Sequence, residues 1–251
     1  DSSGSVDNKL RSATSMLSDY HLVGNLDSYN NLLNMGIPKN RIFIVGEPGI
    51  DDIVSGAFEP LDAICSKYNL DPKQPSILLV FHPNTEEYDD IDRQITELTM
   101  AIESLNFRTI AVYSNADAGG QLINQRITEV SELLPCISTY PNLSRRDFLG
   151  LMNACSVMVG NSSAGIVELP SFKKPFVCVG TRQKGRLKAK NVLEVEARKS
   201  DIINAIQTSI HDEGFKRELQ RLENPYGDGR CSLRVCRIIQ KILEKPNDRD
   251  K

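Results

Sequence analysis

The sequence predicts an α/β chain: a doubly wound, Rossmann-like parallel sheet with helices on both faces. Three observations carry this. Apolar runs of strand length stand at 76–81, 155–159 and 175–179; the first is continuous, as a strand covered on both faces requires, and the second has the length of a buried strand. Segments of helical periodicity separate these runs from one another and from weaker strand signals. Polar and glycine-rich residues gather where the runs end.

The chain opens on a helix over 5–19, with Val6, Leu10, Ala13, Met16 and Leu17 at helical spacing. Asp7 and Arg11 share one side of it, four residues apart, where the ordinary reading is a surface ion pair. A second helix, 27–35, stops near Gly36-Ile-Pro38, and 41–45 follows as a strand. Gly46-Glu-Pro-Gly49 closes it and is the expected hinge. After a helix at 60–68 the alternation becomes regular. Strand 76–81 leads to a helix carrying Ile91, Ile95, Leu98, Ile102 and Leu105, strand 108–113 to helix 120–133, and 136–140 is a short strand. Ser144 caps the next helix, with Asp147 at the reciprocal position of a capping box, and Phe148, Leu149, Leu151 and Met152 form its apolar face. Strand 155–159 runs into a serine-rich turn and a helix start that Pro170 should shorten or bend. Strands 175–179 and 192–195, helices 199–209 and 212–220, a polar break at 224–229 and a last helix from Leu233 to Leu243 complete the chain.

In such a sheet ligands bind at the carboxyl ends of the strands. Those ends carry His82-Pro-Asn84, Ser114-Asn-Ala-Asp-Ala-Gly119, Tyr140 to Ser144, Gly160-Asn-Ser-Ser163 and Gly180-Thr-Arg-Gln-Lys-Gly-Arg186. The serine turn is the most informative. Its small residues let a phosphate approach the unpaired first amides of a helix. Glu168 follows one turn later, placed to accept hydrogen bonds from a sugar's hydroxyls; it stands five residues after Ser163, too far for a capping box. A plain helix cap remains the alternative. His82 is a candidate donor to a phosphate, or else a turn histidine. Asn115 and Asp117 are turn formers by default. Arg182 and Arg186 suit bidentate phosphate contact, or are solvated surface charges. Together these residues imply a nucleoside-diphosphate pocket.

Composition narrows the class. A net charge of −3 over 251 residues, with a pI near 5.7, leaves no basic footprint for nucleic acid. No apolar run approaches the ~20 residues of a membrane span, and nothing resembles a signal peptide. The six cysteines form no Cys-x-x-Cys pair and only three histidines accompany them, so reduced thiols, no metal site and a cytoplasmic location are expected. The first residue is Asp1, and the chain is read as a piece of a longer protein.

Four motifs, in this order and spacing, resemble the hydrolysing UDP-N-acetylglucosamine 2-epimerases: His82-Pro83; Asn115-x-Asp117-Ala-Gly119; Gly160-Asn-Ser-Ser-x-Gly165 with Glu168; and Gly180-Thr-Arg-Gln-x-Gly-Arg186-x4-Asn191-Val. Tyr226-Gly-Asp-Gly229 fits too. Members include the bacterial sialic-acid-pathway enzymes and the epimerase half of the animal bifunctional epimerase/kinase. The Gly-Thr-Arg-Gln segment is similar to the hydrolysing branch. The resemblance implies the C-terminal, UDP-binding half of a two-domain fold like that of the B-type glycosyltransferases. Residues 1–46 would be a remnant of the first domain, 47–230 the UDP-binding domain, and 231–244 a helix crossing back.

By the same resemblance His82, Ser162, Ser163 and Arg182 surround the diphosphate, Glu168 holds the ribose, and Leu143 meets the uracil beside Asn115. The implied substrate is UDP-N-acetylglucosamine. The implied chemistry is loss of UDP with removal of the C2 proton, giving a glycal, then addition of water to give N-acetylmannosamine. No cofactor is implied, and the family tends to homo-oligomers. Asp7, Arg11 and His82 are the expected catalytic residues. Asp7 matches the first acid of the family's Asp-Asp-x-x-Arg-His element and Arg11 its arginine, but Asn8 and Ser12 depart from it, and Val167 stands where the animal enzymes carry arginine. The family's His-x-Glu-x-Gly run would fall before residue 1. Two rivals follow: a UDP-sugar-binding pseudoenzyme, and a B-type glycosyltransferase donor domain.

Overall fold

The structure is a computed structural model that describes residues 6–244. In chain order its elements are α1 (Val6–Leu17), β1 (His21–Val23), α2 (Leu26–Asn34), β2 (Ile42–Ile44), α3 (Pro48–Val54), α4 (Leu61–Tyr68), β3 (Ser76–Val80), α5 (Ile91–Leu105), β4 (Arg108–Val112), α6 (Gly120–Leu133), β5 (Ile137–Tyr140), α7 (Arg145–Ala154), β6 (Val157–Gly160), α8 (Ala164–Val167), β7 (Phe176–Val179), β8 (Val192–Val195), α9 (Lys199–His211), α10 (Glu213–Gln220) and α11 (Cys231–Leu243). Its described residues cluster into two compact units, 6–8 with 58–223, and 9–57 with 224–244.

The larger unit holds the expected sheet, six strands in the order β5-β4-β3-β6-β7-β8, with every neighbouring pair parallel. The chain starts at β3 in the middle, winds outward to β5, returns to β6 and winds outward the other way. The direction reverses between β3 and β6, and a crevice opens at such a switch point. Strands β3, β6 and β7 are buried along their whole length. Ile77, Leu79, Val157, Val159, Val177 and Val179 pack with Ile95, Leu98 and Ile102 of α5 and Ile202 and Ile206 of α9. Each such side chain contributes about 1.5–3 kcal/mol when fully buried, so this face is the main store of stability. The pleat sends Leu78, Ile110 and Met158 to the opposite face, also buried.

Two local readings come out with a difference. Ser144 does cap α7, its hydroxyl oxygen accepting the Asp147 amide at 3.1 Å. The Asp147 carboxylate accepts that hydroxyl's proton at 2.8 Å and pairs with Lys67 Nζ at 2.9 and 3.0 Å, so its reach is long-range as well as local. Pro170 shortens the helix after the serine turn: α8 is a single turn, followed by a 3-10 turn at Leu169–Phe172.

The smaller unit has its own two-stranded parallel sheet, pairing His21–Val23 with Ile42–Ile44. Strand β1 is not foreseen in the sequence, because three residues show no periodicity. The Gly46–Gly49 stretch, expected as a hinge, opens α3 with Pro48 at its first turn. Asp51 of α3 accepts the Cys231 and Ser232 amides at 2.8 and 2.7 Å and so caps α11. The Glu47 amide donates to Tyr226 O at 2.8 Å. These bonds group α3 and 224–230 with the smaller unit, whereas the sequence reading placed both in the UDP-binding domain.

All six cysteines are free thiols. Burial pushes Cys155 and Cys178 up to about 12, which leaves them inert. Among the described residues no helix is long and apolar enough to cross a membrane, and no cluster of His, Cys, Asp and Glu could hold a metal ion.

Candidate functional site

The site begins where β3 and β6 end side by side, with Val80 opposite Gly160. Gly160 has φ +133, and a Cβ there would stand 2.0 Å from the Val80 carbonyl oxygen. Only glycine allows the two backbones to pass so closely while the chain turns away. The Asn161 amide then donates to Val80 O at 3.1 Å. Its side chain reaches across to the loop after β3: Oδ1 accepts the His82 amide at 2.7 Å and Nδ2 donates to His82 O at 2.8 Å. Its own carbonyl accepts Arg182 Nη1 at 3.1 Å and Gln183 Nε2 at 2.8 Å, both from the loop after β7. Gly180, with φ +78, turns the chain into that loop.

His82 Nδ1 accepts the Asn115 backbone amide at 3.3 Å, with the Ser114 hydroxyl also 3.3 Å away. A backbone N–H can only donate, so Nδ1 carries no proton and the neutral ring holds it on Nε2. Burial, and then the Arg182 guanidinium, push the His82 pKa down to about 4, with Asp117 opposing. The ring is therefore a neutral donor at physiological pH. Because the folded pKa lies below the ordinary value of 6.5, the unfolded chain binds the extra proton between them. Stability attributable to His82 is complete above about 6.5 and falls as pH drops toward 4. His82→Gln is accordingly expected to flatten the loss of thermal stability between pH 6.5 and 4 relative to the parent chain. Parallel melting curves that stay superimposable in slope would contradict this.

Ser162 is buried, its hydroxyl 3.4 Å from the Ala164 amide. Among the described residues the Ser162 and Ser163 amides donate no hydrogen bond, and Ser163 makes no side-chain cap bond. These amides and hydroxyls sit beside Asn161, next to His82 and Arg182. Glu168 closes α8, and its Oε1 accepts Arg145 Nη1 at 2.9 Å, with the carboxylate only 16 % exposed. Arg145 is the first residue of α7, two past the half-buried Leu143 in the loop after β5. Asn115 is exposed and donates through Nδ2 to Asp117 at 2.6 Å, the turn-forming role as well as the neighbour of His82.

The larger unit therefore gathers His82, Asn115, Ser162, Ser163 and Arg182 around Asn161, and pairs Glu168 with Arg145 of α7. The two other expected catalytic residues, Asp7 and Arg11, fall on α1. Arg11 is exposed on α1, in the smaller unit, and the Asp7 side chain lies outside the described residues. Asn161, Gln183 and Arg145 are the residues sequence reasoning missed. The signal for Asn161 was its place between a strand-ending glycine and two serines; its meaning depends on β3 being the neighbour of β6.

A cavity of about 340 Å³ at the opposite, amino edge is lined by Lys73, Lys173, Lys174 and Lys216. Lys173 Nζ donates to Gln220 O, and the edge gathers helix C-termini, where lysine is the favoured residue. It is separate from the site just described.

A model of the UDP-N-acetylglucosamine 2-epimerase family matches residues 1–240. The chain is 34% identical over 240 residues to the UDP-N,N'-diacetylbacillosamine 2-epimerase (hydrolyzing) of Legionella pneumophila, covering 96% of this chain and 62% of that protein. The crystal structure of the UDP-GlcNAc 2-epimerase from Neisseria meningitidis bound to UDP-GlcNAc superposes with a TM-score of 0.76 at 20% identity, over 91% of this chain and 63% of the other. A Rickettsia africae glycosyltransferase shares the fold at a TM-score of 0.56 and 16% identity, over 96% of this chain and 68% of that one. This chain thus spans less than two thirds of the length of the epimerases it matches. With the family model covering 1–240, the chain belongs to the UDP-N-acetylglucosamine 2-epimerase family.

Proposed function

We propose that the larger unit binds the UDP moiety of a UDP-linked 2-acetamido sugar, and that the whole protein releases UDP by hydrolytic 2-epimerisation. The observation that carries this reading is the meeting of His82 and Arg182 on Asn161 at the switch point, beside the undonated Ser162 and Ser163 amides. Neutral donors, a guanidinium and open amides suit a diphosphate. Glu168, held by Arg145, takes the ribose hydroxyls, and Leu143 the uracil. Negative charge grows on the diphosphate as it leaves, so donors already fixed toward it lower the barrier. The hydrolysing branch is supported by Gly180-Thr-Arg-Gln183 and by the name of the Legionella relative. That name also widens the sugar class to diacetylated amino sugars.

Proton removal at C2 requires a carboxylate with a raised pKa. Asp7 is proposed for that chemistry with Arg11 beside it, and assembly of the whole protein as a homo-oligomer is part of the same reading. Calorimetric titration of the 251-residue chain with UDP tests the binding claim. Uptake of one UDP per chain, absent with uridine alone at the same concentration, is expected. A folded chain that takes up no UDP overturns the reading.

A further inference from the structure

Asn161 belongs to none of the diphosphate, ribose or base contacts assigned above, yet it is 2% exposed and bonds to both the loop after β3 and the loop after β7. Resting on the UDP reading, we propose that Asn161 is the positioning residue of the site: its carboxamide fixes the His82 backbone, its carbonyl fixes Arg182, and the two are thereby aimed at one anion.

The geometry comes from the end of the sheet. The β3–β6 ladder stops at Val80 and Gly160, with one further bond from the Asn161 amide to Val80 O. Beyond that point the main chain of β6 has turned away at Gly160, so His82 faces no strand. A carboxamide carries a donor and an acceptor on one planar group, as a peptide does. The Asn161 side chain supplies the missing rung, at 2.7 and 2.8 Å. Aspartate would set an oxygen against the His82 carbonyl, and serine would not span the gap. Buried bonds of this kind are costly to lose, because the His82 amide and carbonyl would be left unmet.

The second half of the device lies on the other side of the same residue. The Asn161 carbonyl accepts Arg182 and also Gln183, itself 2% exposed. Gln183 thus anchors the loop after β7, and the Arg182 charge acts on His82. The charged groups that act on its ring are Arg182 and, in opposition, Asp117. Fixing the backbone of His82 keeps Nδ1 on the Asn115 amide and so keeps the proton on Nε2.

The test uses the full chain with nitrogen-15-labelled histidine. In the parent chain His82 is expected to show a single Nε2–H tautomer at pH 7; a mixture of tautomers there overturns the proposal without any variant. Asn161→Ser and Gln183→Met are then compared by calorimetry, melting and the same spectra. In folded Asn161→Ser, UDP affinity is expected to drop about tenfold or more, and His82 to titrate nearer its ordinary value of about 6.5 with its fixed tautomer lost. Gln183→Met, which removes one donor to the Asn161 carbonyl, is expected to show the same two changes in milder form and serves if Asn161→Ser does not fold. Loss of melting temperature alone, with His82 titration and UDP affinity unchanged, reduces Asn161 to a structural clamp and overturns the proposal. A parent chain that fails to bind UDP sinks the UDP reading, while the tautomer measurement still decides the role of Asn161.

Discussion

Gly160→Ala is expected to destabilise the larger unit strongly. The added Cβ would stand 2.0 Å from Val80 O and 2.6 Å from its carbonyl carbon, atoms of a central strand that cannot rotate aside. Relief requires β3 and β6 to separate at the centre of a sheet buried on both faces. Overpacking of a filled interior costs about 1–3 kcal/mol or more, and holding a non-glycine residue at φ +133 adds about 1–2 kcal/mol. Total stability of a domain is only about 5–15 kcal/mol. At about 2–4 °C per kcal/mol for a chain of this size, the melting temperature should fall by roughly 10 °C. Gly36→Ala is the control: it shares a positive φ, +88, but nothing lies within 4 Å of its added Cβ. A Gly160→Ala chain that melts with the Gly36→Ala chain would remove the close approach from the account of this sheet edge.

Arg182→Ala should weaken UDP binding by ten- to a hundredfold, the equivalent of about 1.5–3 kcal/mol for a charge-assisted hydrogen bond. The guanidinium is planar and presents paired donors to a phosphate, so Arg182→Lys, which keeps charge without the fork, should restore only part of the affinity. A second readout separates this from general damage. Arg182 helps hold the His82 pKa down, so in Arg182→Ala the histidine should titrate higher than in the parent chain. Calorimetry that finds equal UDP affinity in parent and Arg182→Ala chains would take Arg182 out of the anion site.

Local sequence carried much of the fold. The apolar run of β3 announced a strand buried on both faces and that of β6 a buried strand; both are, and so is β7. Ser144 announced a helix start and Pro170 a helix cut short, and both occur. Pattern failed where elements are too short to have one. His21-Leu-Val23 is a strand only because Ile42–Ile44 lies beside it. Gly46–Gly49 reads as a hinge, yet α3 begins inside it and Asp51 ties that helix to α11 through residues 180 and 181 positions away.

For the site, the order of residues was enough to show which groups stand at each strand end: His82, the serines, Glu168 and Arg182, with the turns and glycines that let them lie there. It also carried the family, because those motifs depend on order and spacing along one chain. Only the tertiary structure decided which ends are neighbours. The order β5-β4-β3-β6-β7-β8 sets β6 between β3 and β7, and this alone lets Asn161 reach His82, 79 residues earlier, and receive Arg182, 21 later. It also gives Glu168 to Arg145, and Asp147 to Lys67. Periodicity along a chain reports which face of an element is buried; the partner of a polar side chain depends on strand order, which periodicity does not encode.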